Sequence, residues 1–285
     1  MYRPRSMIHD PLYSNLMQGT LTFLGTGTSM GVPTLGCECA VCKSADPHDR
    51  RLRPSVLLRW RETQVDTPGG TERVAVIDTG PDFREQALRE QLNHVDAVFY
   101  THAHADHILG MDDLRPLSFM SARRDGPIPL YADADSTAVL EKVFSYTFSP
   151  DATYPTRARV RLVPMTARQM FRGVEFVRIP LLHGDQPISG FRFGNAAYMT
   201  DVSAIPEESF VLLEGVEVLV ISALRHKPHP SHATLEQSLA WAGQIGAQQT
   251  WFTHIAHDLG HEETNRTLPG NARLAFDGLS VPVTL

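Results

Sequence analysis

Short apolar runs alternate with turn residues over most of the chain. Runs at 20–24, 55–60, 73–77, 95–100 and 129–132 have the length and β-branched content of strands, as do 216–221 and 249–253. Residues 174–182 alternate apolar and polar, which predicts a strand. Residues 191–200 read as a hairpin turning through Gly194 and Asn195. Thr67, Pro68, Gly69, Gly70 and Thr71 read as another hairpin tip. Helical spacing is rarer. Phe83, Ala87, Leu88 and Leu92 share one stripe and predict a helix over 81–92, and weaker patterns predict helices over 106–114 and 136–146. Thr234 followed by Gln237 forms a capping box, which starts a helix running to about Ile245. No linker, low-complexity run or fixed-period repeat divides the chain. One mixed α/β domain over residues 19–285, after an N-terminal extension over 1–18, is the expected organisation.

Composition narrows the class. With 285 residues, 42% hydrophobic and 20% charged, the chain can bury a core, which excludes a mostly disordered protein. No stretch approaches the roughly 20 apolar residues of a membrane span. Residues 1–19 are polar, carry Pro4 and Pro11 and lack the apolar core of a signal peptide, so the cytoplasm is the expected compartment. A net charge of −6 disfavours non-specific binding to a polyanion. Three cysteines argue against a disulfide framework, and thirteen histidines, most in tight clusters, point to metal or acid–base chemistry.

The densest cluster is His102, His104, Asp106 and His107, written H-x-H-x-D-H, directly after the strand at 95–100. In an extended turn His102 and His104 point to one side. Asp106 and His107, entering the next helix, face a second point nearby. This suits two metals held side by side, and the imidazole and carboxylate donors suit zinc, manganese or iron.

The motif resembles the signature of the metallo-β-lactamase superfamily, whose fold is a four-layer αββα sandwich. The resemblance extends along nearly the whole chain. Asp78, in Ile77-Asp78-Thr79-Gly80, matches an aspartate that braces the histidine loop rather than binding metal. His183, Asp201 and His254 match the remaining ligands in order. The resemblance thus implies one metal on His102, His104 and His183, and another on Asp106, His107 and His254. Asp201 would bridge the pair, and a hydroxide would be held between them as nucleophile.

Cys37, Cys39 and Cys42 form C-x-C-x-x-C, a strong soft-metal signal that is one ligand short of a structural zinc site. The fourth ligand must come from elsewhere, and both His257, shortly after His254, and His48 are available. The run from Leu24 through Gly25, Thr26, Gly27, Thr28 and Ser29 to Gly31, Val32 and Pro33, followed by these cysteines, resembles the cyclic phosphodiesterases of phosphonate catabolism. Those enzymes hydrolyse a phosphoribosyl cyclic phosphate. In them three cysteines and a histidine just past the last catalytic ligand hold a structural zinc, a position that His257 matches. In them, and in the tRNA 3′-processing enzymes of the same fold, a histidine at the place of His232 stabilises the phosphate or protonates the leaving oxygen.

The reading is therefore a metal-dependent phosphodiesterase acting on a small, cyclic phosphate ester, with His232 and Asp106 as catalytic residues. The expected cofactors are two catalytic zinc or manganese ions and one structural zinc. His229 and Arg115 are candidate substrate contacts, although Arg115 equally suits a salt bridge on a helix surface. The glycines between Gly25 and Gly31 suit either a phosphate cradle or a tight turn. A small phosphate ester is the expected partner, with no membrane and no nucleic acid, and a homodimer is left open. The alternatives are a tRNA 3′-processing nuclease, for which the acidic balance and the short basic stretch at 122–127 are poorly suited, or a thioester hydrolase. The N-terminal extension and the insertion at 63–71 have no counterpart in the phosphodiesterase pattern.

Overall fold

The computed structural model describes residues 17–64, 67–150 and 154–285. Most of the expected N-terminal extension, residues 1–16, lies outside them; Gln18, its last residue, opens the first strand. The strands are β1 (Gln18–Gly25), β2 (Ser55–Gln64), β3 (Thr67–Ile77), β4 (Ala97–Phe99), β5 (Ile128–Ala132), β6 (Val160–Pro164), β7 (Arg168–Phe171), β8 (Val174–His183), β9 (Gln186–Phe193), β10 (Ala196–Met199), β11 (Val218–Ser222), β12 (Gln249–Thr253), β13 (Ala272–Leu274) and β14 (Ser280–Thr284). They form two seven-stranded sheets, ordered β14-β1-β2-β3-β4-β5-β6 and β13-β12-β11-β10-β9-β8-β7.

The buried side chains fall into three clusters, and these define the layers. One, built on Phe23, Val56, Phe99, Phe176, Phe191 and Tyr198, fills the space between the sheets. Phe99 stacks on Phe176 across it, with ring centres 4.0 Å apart. A second lies between the first sheet and helices on its outer face, through Phe83, Ile108, Leu114 and Leu140. The third lies between the second sheet and the helix Leu235–Ile245, through Leu219, Phe252, Leu235 and Ala242. This is the α/β sandwich of metallo-β-lactamase type.

Each sheet is half antiparallel and half parallel. Strands β3 to β6 are parallel, as are β10 to β13. Parallel strands end on a common edge, and in open α/β sheets that carboxyl edge is where ligands bind. Asp78, His102, Asp201 and His254 each follow such a strand end, and His183 closes β8.

The local pattern needs three corrections. Residues 67–71 are not a hairpin tip: Gln64 pairs with Thr67, so they belong to the β3 arm. The ladder shifts between Glu62 and Gln64, opposite Gly69 and Gly70 at φ +88° and +71°. The helix expected over 106–114 is two pieces, Ala105–Ile108 and a tighter turn Met111–Leu114. Gly110 separates them, donating its N–H to the Thr79 carbonyl at 2.9 Å. The helix expected over 136–146 begins at Ala134, where Asp133 caps the Ser136 N–H at 2.8 Å, and ends at Val143. The capping box at Thr234 and Gln237 forms as read. No helix among the described residues is long and apolar enough to cross a membrane.

Candidate metal centre

Three of the five non-glycine residues with positive φ among those described are Asp78, Asp201 and His254, at +65°, +58° and +54°. Aspartate and histidine are residue types that tolerate this conformation better than most. Each sits just past a strand, where a left-handed residue turns the chain sharply. The strain is of the kind that collects at functional sites.

The candidate ligands gather as two adjoining groups. His102, His104 and His183 form one, and Asp106, His107, Asp201 and His254 the other. Within each group the donor atoms lie within 4.8 Å of one another. His107 Nε2 is 3.2 Å from both Asp106 and Asp201, and His254 Nε2 is 3.0 Å from Asp201. The groups touch: the His102 and His107 ring centres are 4.1 Å apart. Outer contacts orient the rings. His107 Nδ1–H donates to Asp78 at 2.8 Å, while the Thr101 N–H and hydroxyl donate to the same carboxylate at 2.8 and 2.7 Å. His183 Nδ1–H donates to the Ser231 carbonyl at 2.7 Å, which leaves Nε2 for the cluster. Sequence reasoning found Asp78 but not Thr101 or Ser231, because a threonine and a backbone carbonyl carry no motif of their own.

The electrostatics favour a cation. Burial opposes charge on His107 and His254, but Asp201 and Asp106 outweigh it, raising His107 well above the usual histidine range and His254 to about 9. Burial likewise opposes ionisation of Asp201, yet His254 and His107 hold it well below the carboxylate range. Nε2 of His102, Nε2 of His107 and both ring nitrogens of His254 are buried without a hydrogen-bond partner. An unpaired buried polar atom costs about 1–3 kcal/mol. Several such nitrogens facing ionised carboxylates are the donor set of a divalent-cation site.

His232 stands at the edge of both groups. Its ring centre is 4.5 Å from that of His183 and 4.7 Å from that of His254, and its Nδ1 is 3.8 Å from Asp201. Burial and the nearby His254 push it down to about 3, so its imidazole is neutral. His229 lies beside it, with ring centres 5.0 Å apart. Arg115 makes an i,i+3 ion pair with Asp112 at 3.6 Å and meets the Tyr154 hydroxyl at 3.5 Å, the helix-surface arrangement.

The three thiols meet His257 rather than His48. His257 Nδ1 is 3.1, 3.3 and 3.5 Å from the Sγ atoms of Cys37, Cys39 and Cys42. His48 instead packs on Phe276 and His261, with ring centres 4.2 and 4.6 Å apart. The Cys42 N–H aimed at its sulfur lowers Cys39 to about 6, whereas burial raises Cys42 to about 11. Two of the glycines before the cysteines have a packing role. A Cβ on Gly25 would lie 1.9 Å from the Arg53 carbonyl, and one on Gly27 2.9 Å from the Arg51 carbonyl, so both let backbones approach closely.

A cavity of about 200 Å³ opens beside His232 and His254, between Thr28–Met30 and the segment carrying Arg225 and His229. A larger one, about 480 Å³, lies on the second sheet around Met170 and Val211 and contains none of the clustered histidines.

The chain resembles known proteins over most of its length. The beta-lactamase superfamily domain matches residues 73–255. A crystal structure of a diphosphatase from the PhnP family is 50% identical, with a TM-score of 0.84 over 95% of this chain and 99% of that one. Zinc-bound PqqB from Methylobacterium extorquens shares the fold at 18% identity, with a TM-score of 0.68 over 92% of this chain and 99% of that one. An octanoyltransferase of Porphyromonas gingivalis is 36% identical over 260 residues, 90% of this chain; the chain spans half the length of that curated relative. The chain belongs to the beta-lactamase superfamily and has the metallo-β-lactamase fold.

Proposed function

We propose that the protein is a phosphodiesterase hydrolysing a small, cyclic phosphate ester. The observation that carries this reading is the placement of His232, a half-buried imidazole whose Nδ1 is buried without a hydrogen-bond partner, against two adjoining metal-ligand groups. The 50% identity to a PhnP-family diphosphatase supports attack at phosphorus.

In this reading His102, His104 and His183 hold one divalent cation, Asp106, His107 and His254 hold a second, and Asp201 is shared. Cations there supply positive charge for phosphoryl oxygens and acidify water. Asp78 keeps His107 in the tautomer whose Nε2 faces the carboxylates. The Ser231 carbonyl does the same for His183, and it ties that ring to the residue before His232. His232 offers an N–H to a phosphate oxygen. The negative charge of a bound phosphate favours its protonation, so it can then pass a proton to the leaving oxygen. The cysteines and His257 hold a structural zinc. Zinc and manganese both suit the catalytic donors.

The test is a hydrolysis screen across bis(p-nitrophenyl) phosphate, cyclic ribose phosphates, cyclic nucleotides, a precursor tRNA, a thioester and a β-lactam, with metal analysis of the same batch. Turnover of the small phosphodiesters is expected. Turnover of only the thioester or the lactam overturns the reading, and turnover of only the tRNA replaces it with a nuclease.

A further inference from the structure

Asp201 is the carboxylate that the two ligand groups share in the reading above, and its two oxygens have different surroundings. Oδ2 accepts the Thr200 hydroxyl at 2.7 Å and lies 3.2 Å from His107 Nε2. Oδ1 lies 3.0 Å from His254 Nε2 and 3.8 Å from His232 Nδ1. Thr200 is fully buried, so this hydrogen bond is shielded from solvent.

Side chains of consecutive residues do not ordinarily meet in this way. Along β10, Tyr198 points into the layer between the sheets and Met199 to the opposite face. Continued alternation would place Thr200 with Tyr198 and Asp201 with Met199, on opposite faces. The left-handed backbone at Asp201, φ +58°, breaks the alternation and brings the carboxylate round to the Thr200 hydroxyl. Asp78 has the same left-handed backbone but different surroundings. Both its oxygens are occupied, one by the Thr101 N–H and the other by the Thr101 hydroxyl and the His107 ring. Asp201 receives a hydroxyl on one oxygen only.

We propose that Thr200 is a positioning residue whose hydroxyl fixes the rotation of the Asp201 carboxylate, so that the cation affinity of the centre depends on it. The proposal rests on the reading in which Asp201 is shared between two cations. Rotation about the last bond of an aspartate side chain is soft and roughly two-fold, so the residue by itself does not keep its two oxygens apart. A hydroxyl bound to one oxygen does, and a hydrogen bond to an ionised acceptor is of the stronger kind. It also occupies a lone pair of Oδ2 and leaves Oδ1 turned to His254 and His232. Threonine suits this task, because its branched β-carbon restricts the side chain to few rotamers. Thr200 does this through Asp201.

Metal retention tests this on the metal-loaded full chain, dialysed against buffers of graded free zinc and analysed for zinc per chain. Thr200→Val keeps the shape and removes the hydroxyl, Thr200→Ser keeps the hydroxyl, and Thr200→Ala removes both hydroxyl and methyl. Thr200→Val and Thr200→Ala should give up zinc at free concentrations about tenfold or more above those of the wild type, and Thr200→Ser should retain it as the wild type does. If packing of the methyl group is what matters, Thr200→Ser and Thr200→Ala lose zinc together while Thr200→Val holds it, and the proposal is overturned. Equal retention by all four proteins overturns it as well. If Thr200→Val fails to fold, the serine and alanine variants decide, since they differ by the hydroxyl alone.

Failure of the underlying reading has a different signature. The wild type then holds no zinc beyond the equivalent that Cys39→Ser loses, and the proposal falls with it. Because zinc retention is read without turnover, an inactive result in the substrate screen leaves this test intact.

Discussion

Side chains at the site are placed by residues that do no chemistry. Gly80 is the clearest case. A Cβ there would lie 2.1 Å from the Asp106 carbonyl, and one on Gly110 would lie 2.0 Å from the Gly80 carbonyl. The loop after β3 and the histidine loop therefore touch backbone to backbone, joined by the Thr79 N–H donating to His107 at 2.8 Å. Gly80→Ala should cost about 1–3 kcal/mol and release metal from the Asp106 group, read by thermal melting and metal analysis of the same sample. His232 is the contrasting case: it belongs to neither of the two ligand groups, although its donor atom lies within 4.8 Å of those of His183 and Asp201. His232→Ala should lower kcat about a hundredfold with the metal content unchanged, and undiminished turnover would remove it from the mechanism. The spacing of His102, His104, Asp106 and His107 made that cluster legible in the sequence, and the family resemblance added His183, Asp201 and His254. Thr101 and Ser231 were not legible, because each acts through a position that only the folded chain supplies.

At the scale of elements, the site hangs from the ends of parallel strands, and two loops are tied across it. One tie is the cysteine segment meeting His257, three residues after His254. Thr28–Met30, which wall the cavity, precede those cysteines in the same connection between β1 and β2. A metal there would hold that connection to the loop after β12. Cys39→Ser should lose one metal equivalent per chain, lower Tm by more than about 4 °C and disturb turnover indirectly. A wild-type metal ratio would reject that site. The strands at 55–60 and 249–253 and the helix from Thr234 were legible because period and capping agree there. The helix Arg115–Arg124 and the strands β6, β7, β13 and β14 were not read. β6 and β7 lie at sheet edges, half exposed, where a buried face no longer imposes a two-residue period.

At the scale of the whole molecule, the two ends of the fold are joined around buried charge. Arg51 is almost fully buried; its Nη1 donates to the Ala275 carbonyl and to Thr26, and its Nη2 to His261 Nδ1 at 3.2 Å. Burial first, then Arg51 and His48, lower His261 to about 4, against the opposing pull of Asp46 and Asp49. Between pH 6.5 and 4 the unfolded chain thus binds more protons at this residue than the folded one, so stability falls as pH drops through that window. Denaturant midpoints measured at pH 7 and pH 5 should differ in that direction, and His261→Gln should reduce the difference. The sequence by itself determined a mixed α/β class, through many short strands and few helices, and nominated the cluster His102, His104, Asp106 and His107 through local spacing, while the sandwich and the distant ligands rested on the family resemblance. It left open which distant histidine meets the three thiols. It also left open which arginine faces the cavity and which loops enclose it. Those are contacts between residues far apart in the chain, and they exist only once the two sheets have packed and set their strand ends side by side.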